Sequence, residues 1–233
     1  MTPDWWFDER QHAGEEHLDR AQVAQYDEKV QFDPSHEVEL LLELGLGADD
    51  TFVDFCTGTG DVPLAVAEYC DRVVAIDIAE PMLEVARTKV DESDRQGIEL
   101  VHTGILGYEH AGAPASFAFS KNALHHLPDF WKVEALKTVG DTLEPGGIFR
   151  LRDLVYSFDP RDSHERIESW LAQMAASNFT EEELRNHVRE EFSTYGFVLE
   201  SMLESTGFEI LDATYSRGFY AAYTCEWQGH RSG

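Results

Sequence analysis

The chain has 233 residues, of which 42% are hydrophobic, enough to fill the core of one large domain. Its 45 acidic and 18 basic residues give a formal net charge of −27, which repels phosphate backbones and disfavours nucleic-acid binding. No apolar run reaches the length of about 18 residues that a membrane span needs, and the acidic N-terminus is unlike a signal peptide. Three widely spaced cysteines indicate a reducing cytoplasm, and they predict neither disulfides nor a cysteine-based metal site.

The basic residues are unevenly divided, with five lysines and thirteen arginines. An acidic, lysine-poor surface is typical of a halophile's cytoplasm, where salt screens self-repulsion. A halophilic source is therefore our hypothesis, and an ordinary acidic protein is the alternative.

The first 47 residues predict a helical segment, with a helix through 19–30. Trp5, Trp6 and Tyr26 make this segment too apolar for a disordered tail. We expect these aromatic residues to dock on the core, and Tyr26 also to cover a ligand cleft.

A glycine-rich corner organises the rest of the chain. Residues 52–55 predict a short buried strand, which ends in a turn containing Gly58 and Gly60, and a helix follows at once. Glycines let the backbone turn sharply and approach a ligand closely. The free amides that open the next helix carry partial positive charge, so the corner can bind a carboxylate or a phosphate.

A second apolar run, residues 72–76, ends in Asp77, which lies 23 residues after Asp54. This spacing is expected when a second parallel strand brings a carboxylate to ribose hydroxyls. A phosphate-loop nucleotidase is excluded because no Gly-Lys-Ser/Thr follows the corner, and Pro63 stands where a dinucleotide oxidoreductase needs a third glycine. The remaining common ligand is S-adenosylmethionine.

Strands and helices alternate beyond the corner. We expect strands over 98–101, 115–121 and 148–154, one helix opening at Pro81 and another at Asp129. This alternation predicts a parallel sheet with helices on both faces.

The pattern changes at 156–206, where helices follow one another without an intervening strand. Thr180 and Glu183 predict a capping box. We interpret this region as a helical cap inserted after the fifth strand, followed by a final antiparallel pair over 208–211 and 219–225.

Four segments resemble the motifs of class I S-adenosylmethionine-dependent methyltransferases, and the nearest group is that of the ubiquinone and menaquinone C-methyltransferases. The resemblance covers 50–154 well and the last strands loosely. The segments are 53–60, Asp77 with Met82, Leu83, Ala86 and Arg87, then 123–129, and 143–147.

This resemblance implies an α/β fold, a single methyltransferase domain over 1–233. Its Rossmann-like sheet would have seven mostly parallel strands in the order 3-2-1-4-5-7-6. The implied activity is methyl transfer from S-adenosylmethionine to carbon or oxygen of a small molecule, which leaves S-adenosylhomocysteine. The alternative is a non-catalytic protein that binds either nucleoside. An NAD-dependent oxidoreductase is a distant third possibility.

The resemblance also implies roles for residues at the cofactor site. Asp54 and the backbone of 58–60 would hold the methionine part, and Asp77 would take both ribose hydroxyls. The full implied set is Asp54, Thr57, Gly58, Gly60, Asp77, Ile78, Met82, Ile105, Leu106 and Ser120.

The chain departs from the family pattern at three places, one of which is Ser116, where an acid usually stands near the start of the fourth strand. Cys56 stands where the family has its first glycine. The family often has Gly-Asp after the third strand, with the acid on the adenine amine, but this chain has Gly104 and Ile105. The adenine contact would then rest on backbone groups of Ile105 and Leu106.

His125 and His126 follow the fourth strand, beside the expected methyl group. Methyl transfer is an in-line displacement, so a general base is needed only if the acceptor loses a proton. His126 is the preferred base, and packing is the alternative for both. No metal is predicted, because metal-ligand spacing is absent among His36, His102, His110, His164 and His187.

Asp153, Tyr156 and Tyr195 are predicted to line the acceptor side. Asp153 ends the fifth strand, at the sheet edge where α/β proteins bind ligands. A helix cap or an ion pair with Arg150 or Arg152 is the alternative for Asp153, and ordinary core packing is the alternative for Tyr195.

Overall fold

The computed structural model describes residues 3–174 and 180–230. Eight strands form the sheet in the order β3-β2-β1-β4-β5-β8-β7, with β6 pairing beside β5. β8 runs antiparallel to both of its neighbours, and the other pairings are parallel. The strands are β1 (Thr51–Phe55), β2 (Arg72–Asp77), β3 (Ile98–His102), β4 (Ala115–Lys121), β5 (Leu143–Tyr156), β6 (Thr194–Tyr195), β7 (Phe208–Ser216) and β8 (Tyr220–Trp227).

This order confirms the predicted topology. The expected seven strands become eight because the two-residue strand β6 pairs in parallel with the end of β5. With β6 counted, the last two strands are β7 and β8, and they take the places predicted for strands six and seven.

Ten α-helices lie in the described part of the chain, and none is long and apolar enough to cross a membrane. They are α1 (Glu15–Leu18), α2 (Arg20–Val23), α3 (Tyr26–Val30), α4 (Ser35–Glu43), α5 (Asp61–Val66), α6 (Glu80–Glu92), α7 (Asp129–Thr142), α8 (Ser163–Met174), α9 (Glu181–Glu190) and α10 (Gly196–Ser205).

The central strands β1, β2 and β4 are buried almost throughout. Their side chains form near-continuous apolar runs, as expected for parallel strands covered on both faces. Val53 pairs with Val74 on one side and with Ala118 on the other. Because the three strands are parallel, their carboxyl ends meet at one edge, which places Phe55, Asp77 and Lys121 there.

The N-terminal segment differs in part from the prediction. The helix expected through 19–30 is two short helices, α2 and α3, because Ala24 and Gln25 interrupt it. Trp6 docks as expected, with its ring centroid 5.0 Å from that of the buried Trp131. Trp5 stacks on Trp131 from outside and keeps 63% of its surface exposed.

The segment predicted as a cap, 156–206, has two parts. α8 and α9 pack on each other around a small apolar cluster that includes Trp170 and Leu184. The predicted capping box of Thr180 and Glu183 begins α9. α10 instead packs against β7 and α7, so it belongs to the helix layer that covers the sheet. Residues 1–2 of the predicted N-terminal segment, residues 175–179 of the predicted cap and residues 231–233 of the predicted domain lie outside the described residues.

Candidate functional site

A cleft opens at the edge where β1, β2 and β4 end. It consists of two adjacent cavities of about 670 and 490 Å³, measured with their open mouths. They share the lining residues Tyr26, Cys56, Gly58 and Lys121. Open α/β sheets bind their ligands outside the carboxyl ends of the strands, which is the position of this cleft.

The glycine corner forms the wall between the cavities. Gly58 and Gly60 have φ of 57° and 83°, in the left-handed region that favours glycine. Gly60 begins α5, and a Cβ there would lie 3.0 Å from Ala86 Cβ, so close packing also requires glycine. Cys56 adopts φ of 61° in spite of its side chain, and such left-handed strain is common at functional sites.

Asp77 ties the corner to the neighbouring strand. Its carboxylate accepts hydrogen bonds from the backbone N–H groups of Gly58 and Ala79, each at 2.8 Å. The side chain is 7% exposed and lines the larger cavity. Burial raises the pKa of Asp77, and the two N–H donors partly offset that effect. Each carboxylate oxygen retains a lone pair that can accept a ligand hydroxyl.

Asp54 lies beneath the smaller cavity. Its Oδ2 accepts a hydrogen bond from the Thr57 hydroxyl at 2.7 Å, and burial raises the pKa of Asp54 to about 8. Lys121 lines both cavities, and burial lowers the pKa of its ammonium. This cavity is therefore lined by a poorly solvated carboxyl group and a partly desolvated amine.

The adenine side predicted from the sequence is lined by Ile78, Met82 and Ile105. The neighbouring Leu106 N–H donates to Glu9 Oε2 at 3.1 Å. Burial raises the pKa of Glu9 to about 7. Sequence reasoning missed Glu9, since it lies 97 residues from Leu106 and belongs to no motif.

The N-terminal segment forms the roof of the cleft. Glu9, Ala13, His17 and Tyr26 line the larger cavity from this side. Tyr26 lines both cavities and packs beside Val23 and Met82, so it both docks and covers the cleft, as expected. Lys89 Nζ lies 2.6 Å from both Asp27 and Asp61, which joins α3 to the two helices that flank the corner.

His126 lies at the far end of the larger cavity. Burial, together with neighbouring histidines, lowers the pKa of His126 well below its usual value, so the imidazole is neutral at physiological pH. The His17 ring meets it edge-on, with centroids 5.6 Å apart. A neutral imidazole that faces a cavity can accept a proton.

His125 lies behind the cleft. Its Nδ1 is 2.5 Å from Asp153 Oδ1, and its backbone N–H donates to Asp153 Oδ2 at 3.1 Å. Its Nε2 lies 3.3 Å from Glu191 Oε2. Burial opposes charge on this ring, but the two carboxylates more than offset it and raise the pKa of His125.

Five other predicted residues do not line either cavity, namely Gly60, Leu106, Ser120, Tyr156 and Tyr195. Ser120 is fully buried, with its hydroxyl lacking a hydrogen-bond partner. Tyr156 and Tyr195 pack together, with ring centroids 5.6 Å apart, in the aromatic cluster that includes Phe158.

Asp153 also lies away from the cavities, and the arginine partners considered for it bind elsewhere. Arg150 Nε donates to Glu37 Oε2 at 2.9 Å, and Arg152 donates to Glu37 Oε1 at 2.8 Å. Glu37 is 1% exposed, so this is a buried ion pair between α4 and β5. Asp153 pairs with His125 instead.

A family model described as a methyltransferase domain matches residues 52–147. Over these residues the chain is similar to a methyltransferase domain. The match begins in β1 and extends into β5, so it contains the glycine corner, Asp77 and His126. Glu9, His17 and Tyr26, which roof the cleft, lie outside the matched residues.

Two curated relatives each match less than half of the chain. The demethylmenaquinone methyltransferase of Shouchella clausii is 29% identical over 112 residues, which are 47% of this chain and 47% of that protein. The Listeria welshimeri protein of the same name is 31% identical over 98 residues, 41% of each chain. The chain thus spans about half the length of the curated relatives it matches.

Solved structures share the fold of this chain over most of its length. A SAM-dependent methyltransferase from Aquifex aeolicus aligns with a TM-score of 0.62 and 17% identity, over 89% of this chain and 97% of that one. Magnesium protoporphyrin IX methyltransferase from Synechocystis with bound SAH also aligns with a TM-score of 0.62. The identity is 14%, and the alignment covers 94% of this chain and 92% of that one. The predicted resemblance to methyltransferases and the predicted fold are confirmed.

Proposed function

We propose that the chain is an S-adenosylmethionine-dependent methyltransferase that acts on a small molecule. The observation that carries this proposal is the hydrogen bond from the Gly58 N–H to Asp77. It joins a tight glycine corner to a buried acid at the mouth of one cleft. This arrangement suits a nucleoside whose ribose meets the acid and whose amino-acid tail meets the corner.

The charges of the cleft suit this cofactor. Asp54, Asp77 and Glu9 are carboxyl groups whose burial raises their pKa values. The sulfonium and ammonium groups of S-adenosylmethionine would stabilise their ionised forms. Lys121 is the buried amine nearest to the methionine side and is available to the cofactor carboxylate.

Glu9 compensates for a departure from the family pattern. The acid that usually reaches the adenine amine is replaced by Ile105, but the Glu9 carboxylate lies against the Leu106 N–H. A Cβ on Gly104 would lie 2.2 Å from Glu9 Oε2, so the missing side chain at Gly104 makes room for this acid. We assign Glu9 the role of accepting a hydrogen bond from the adenine amine.

The chemical step needs alignment and exclusion of water. The bound sulfonium methyl would point toward the end of the cavity lined by Leu124, His126 and Leu127. The acceptor would enter there, and the N-terminal segment would shield the in-line displacement from solvent. Where carbon or oxygen must lose a proton, neutral His126 would accept it.

The position of α8 and α9 favours an enzyme over a non-catalytic binder. A cap that filled the acceptor space would favour the binder, but none of the described residues in 156–206 lines either cavity. The space beside His126 is therefore open to a second molecule.

The test combines calorimetry with a transfer assay. Purified protein should bind S-adenosylmethionine and S-adenosylhomocysteine, and it should transfer labelled methyl to at least one member of a panel that includes demethylmenaquinone analogues and phenols. Asp77→Asn should abolish both signals, while exposed Asp91→Asn should preserve them. Failure of folded protein to take up either nucleoside refutes the proposal. Uptake without transfer favours the non-catalytic binder.

A further inference from the structure

A cluster of three possible metal ligands lies behind the cleft, where α9 meets the loop after β4. The ligand atoms of His125, His187 and Glu191 all lie within 4.8 Å of one another. His187 and Glu191 are four residues apart at the end of α9, a spacing that places both on one face. The fold brings His125 to them from a distant part of the sequence.

Asp153 fixes the orientation of the first ligand. It accepts both the backbone N–H and the Nδ1 side of His125, so Nε2 is the nitrogen that faces Glu191. A histidine that donates one ring N–H to a carboxylate and offers the other nitrogen is the usual arrangement of a metal-ligating imidazole. Asp153 is 3% exposed and also accepts from Leu154 N–H at 2.8 Å, so its position is rigid.

Ser193 fixes the second ligand. Its Oγ lies 3.1 Å from His187 Nε2, so when that nitrogen carries the proton, the lone pair of Nδ1 faces Glu191. Glu191 Oε2 lies close to this Nδ1 and 3.3 Å from His125 Nε2. That oxygen is buried, yet neither nitrogen meets it with hydrogen-bond geometry.

The local charge also suits a bound cation. Asp153 and Glu191 bring two carboxylates next to two imidazoles, and a buried carboxylate is costly unless it is neutralised. The nearby Lys132 ammonium is already occupied by the carbonyls of Leu127 and Phe192, at 2.7 and 2.6 Å. A divalent ion between the three ligands would balance the charge.

We propose that His125 Nε2, His187 Nδ1 and Glu191 Oε2 bind a divalent transition-metal ion, with Zn²⁺ as the best fit. Two imidazoles and one carboxylate are a common zinc donor set, and a water or another ligand completes four-coordination. The ion would join the end of α9 to the loop that carries His126. It would therefore hold α8 and α9 against the methyltransferase domain and fix the wall of the acceptor space.

The experiment measures metal content and binding, which do not depend on a known methyl acceptor. Protein is stripped with a chelator, reloaded with Zn²⁺ and desalted, and the bound metal is quantified. Co²⁺ then serves as a spectroscopic probe, because its visible bands report tetrahedral nitrogen and oxygen ligation. We expect one tightly held equivalent and a higher melting temperature in the loaded protein.

Matched variants test the ligands one at a time. His187→Ala and the isosteric Glu191→Gln should lose the bound equivalent and the Co²⁺ bands, whereas Asp153→Asn should weaken binding by about 10- to 100-fold. His164→Ala, on the exposed side of α8, should bind as the wild type does. The proposal is overturned if wild-type protein retains no metal, or if Glu191→Gln retains as much as wild type. In either case His125 is instead a protonated imidazole held between two carboxylates.

Discussion

Replacing Asp77 by Asn tests the cofactor site most directly. The carboxylate accepts two backbone N–H groups and has lone pairs left for two ribose hydroxyls. The amide removes the charge, and its NH₂ group must face either the Gly58 or the Ala79 N–H. Two charge-assisted hydrogen bonds of about 1.5–3 kcal/mol each are lost or weakened, so Kd should rise by more than about 100-fold.

The assay is calorimetric titration with S-adenosylhomocysteine, which is not consumed. Asp91→Asn is the matched control, since Asp91 is exposed near the end of α6. Melting temperatures of the free proteins show whether Asp77→Asn remains folded. If the folded variant binds the nucleoside as tightly as the control, Asp77 does not hold the ribose and our assignment of the cleft is wrong.

Four further predictions concern pH, catalysis and salt. The pKa of Glu9 is about 7 in the folded protein against an ordinary 4.5, so the folded state binds an extra proton between these pH values, and its stability should fall as pH rises through them. Glu9→Gln should flatten the dependence of the melting temperature on pH. The same dependence in the variant and the wild type would contradict the role of burial. His126→Ala should slow transfer by about 100- to 10,000-fold on an acceptor that loses a proton, with unchanged nucleoside affinity; unchanged turnover would eliminate His126 as the base. Uptake of S-adenosylmethionine at neutral pH should release protons, because its positive charge lowers the raised pKa values of Asp54 and Glu9. The buffer takes up these protons, so the binding enthalpies measured in phosphate and in Tris should differ. Equal enthalpies would refute this prediction. If the source is halophilic, the melting temperature should rise with KCl, whereas a flat or falling trend would indicate an ordinary acidic protein.

The sheet was predictable because its signals are local. Each central strand is an apolar run that ends at a turn or a charged residue, whereas the order of the strands was implied by the resemblance to class I methyltransferases. β6 was not predictable, since the two residues Thr194 and Tyr195 carry no periodicity and pair with β5 only because of tertiary packing. The break between α2 and α3 was missed for a similar reason, since Ala24 and Gln25 are both good helix formers.

The candidate site was predictable only where its residues belong to one local supersecondary unit. The glycine corner and Asp77 belong to one βαβ unit, so their spacing in the sequence predicts that they lie close together. In the structure a hydrogen bond joins them. Glu9 and the cluster around His125 depend on contacts between distant segments, which no spacing rule describes. Asp153 shows the difference well: its place at the end of β5 was predicted, but its partner is His125 and not a neighbouring arginine.

The buried acids explain why this cleft would select one kind of ligand. Asp54, Asp77 and Glu9 are held by backbone or hydroxyl donors, and among the described residues Lys121 is the one lysine that lines the same cavities. Burial penalises these carboxylates in the free protein, so a ligand that brings positive charge gains more than a neutral one. S-adenosylmethionine carries a sulfonium that its product lacks, and an acidic cleft therefore favours the substrate over the product.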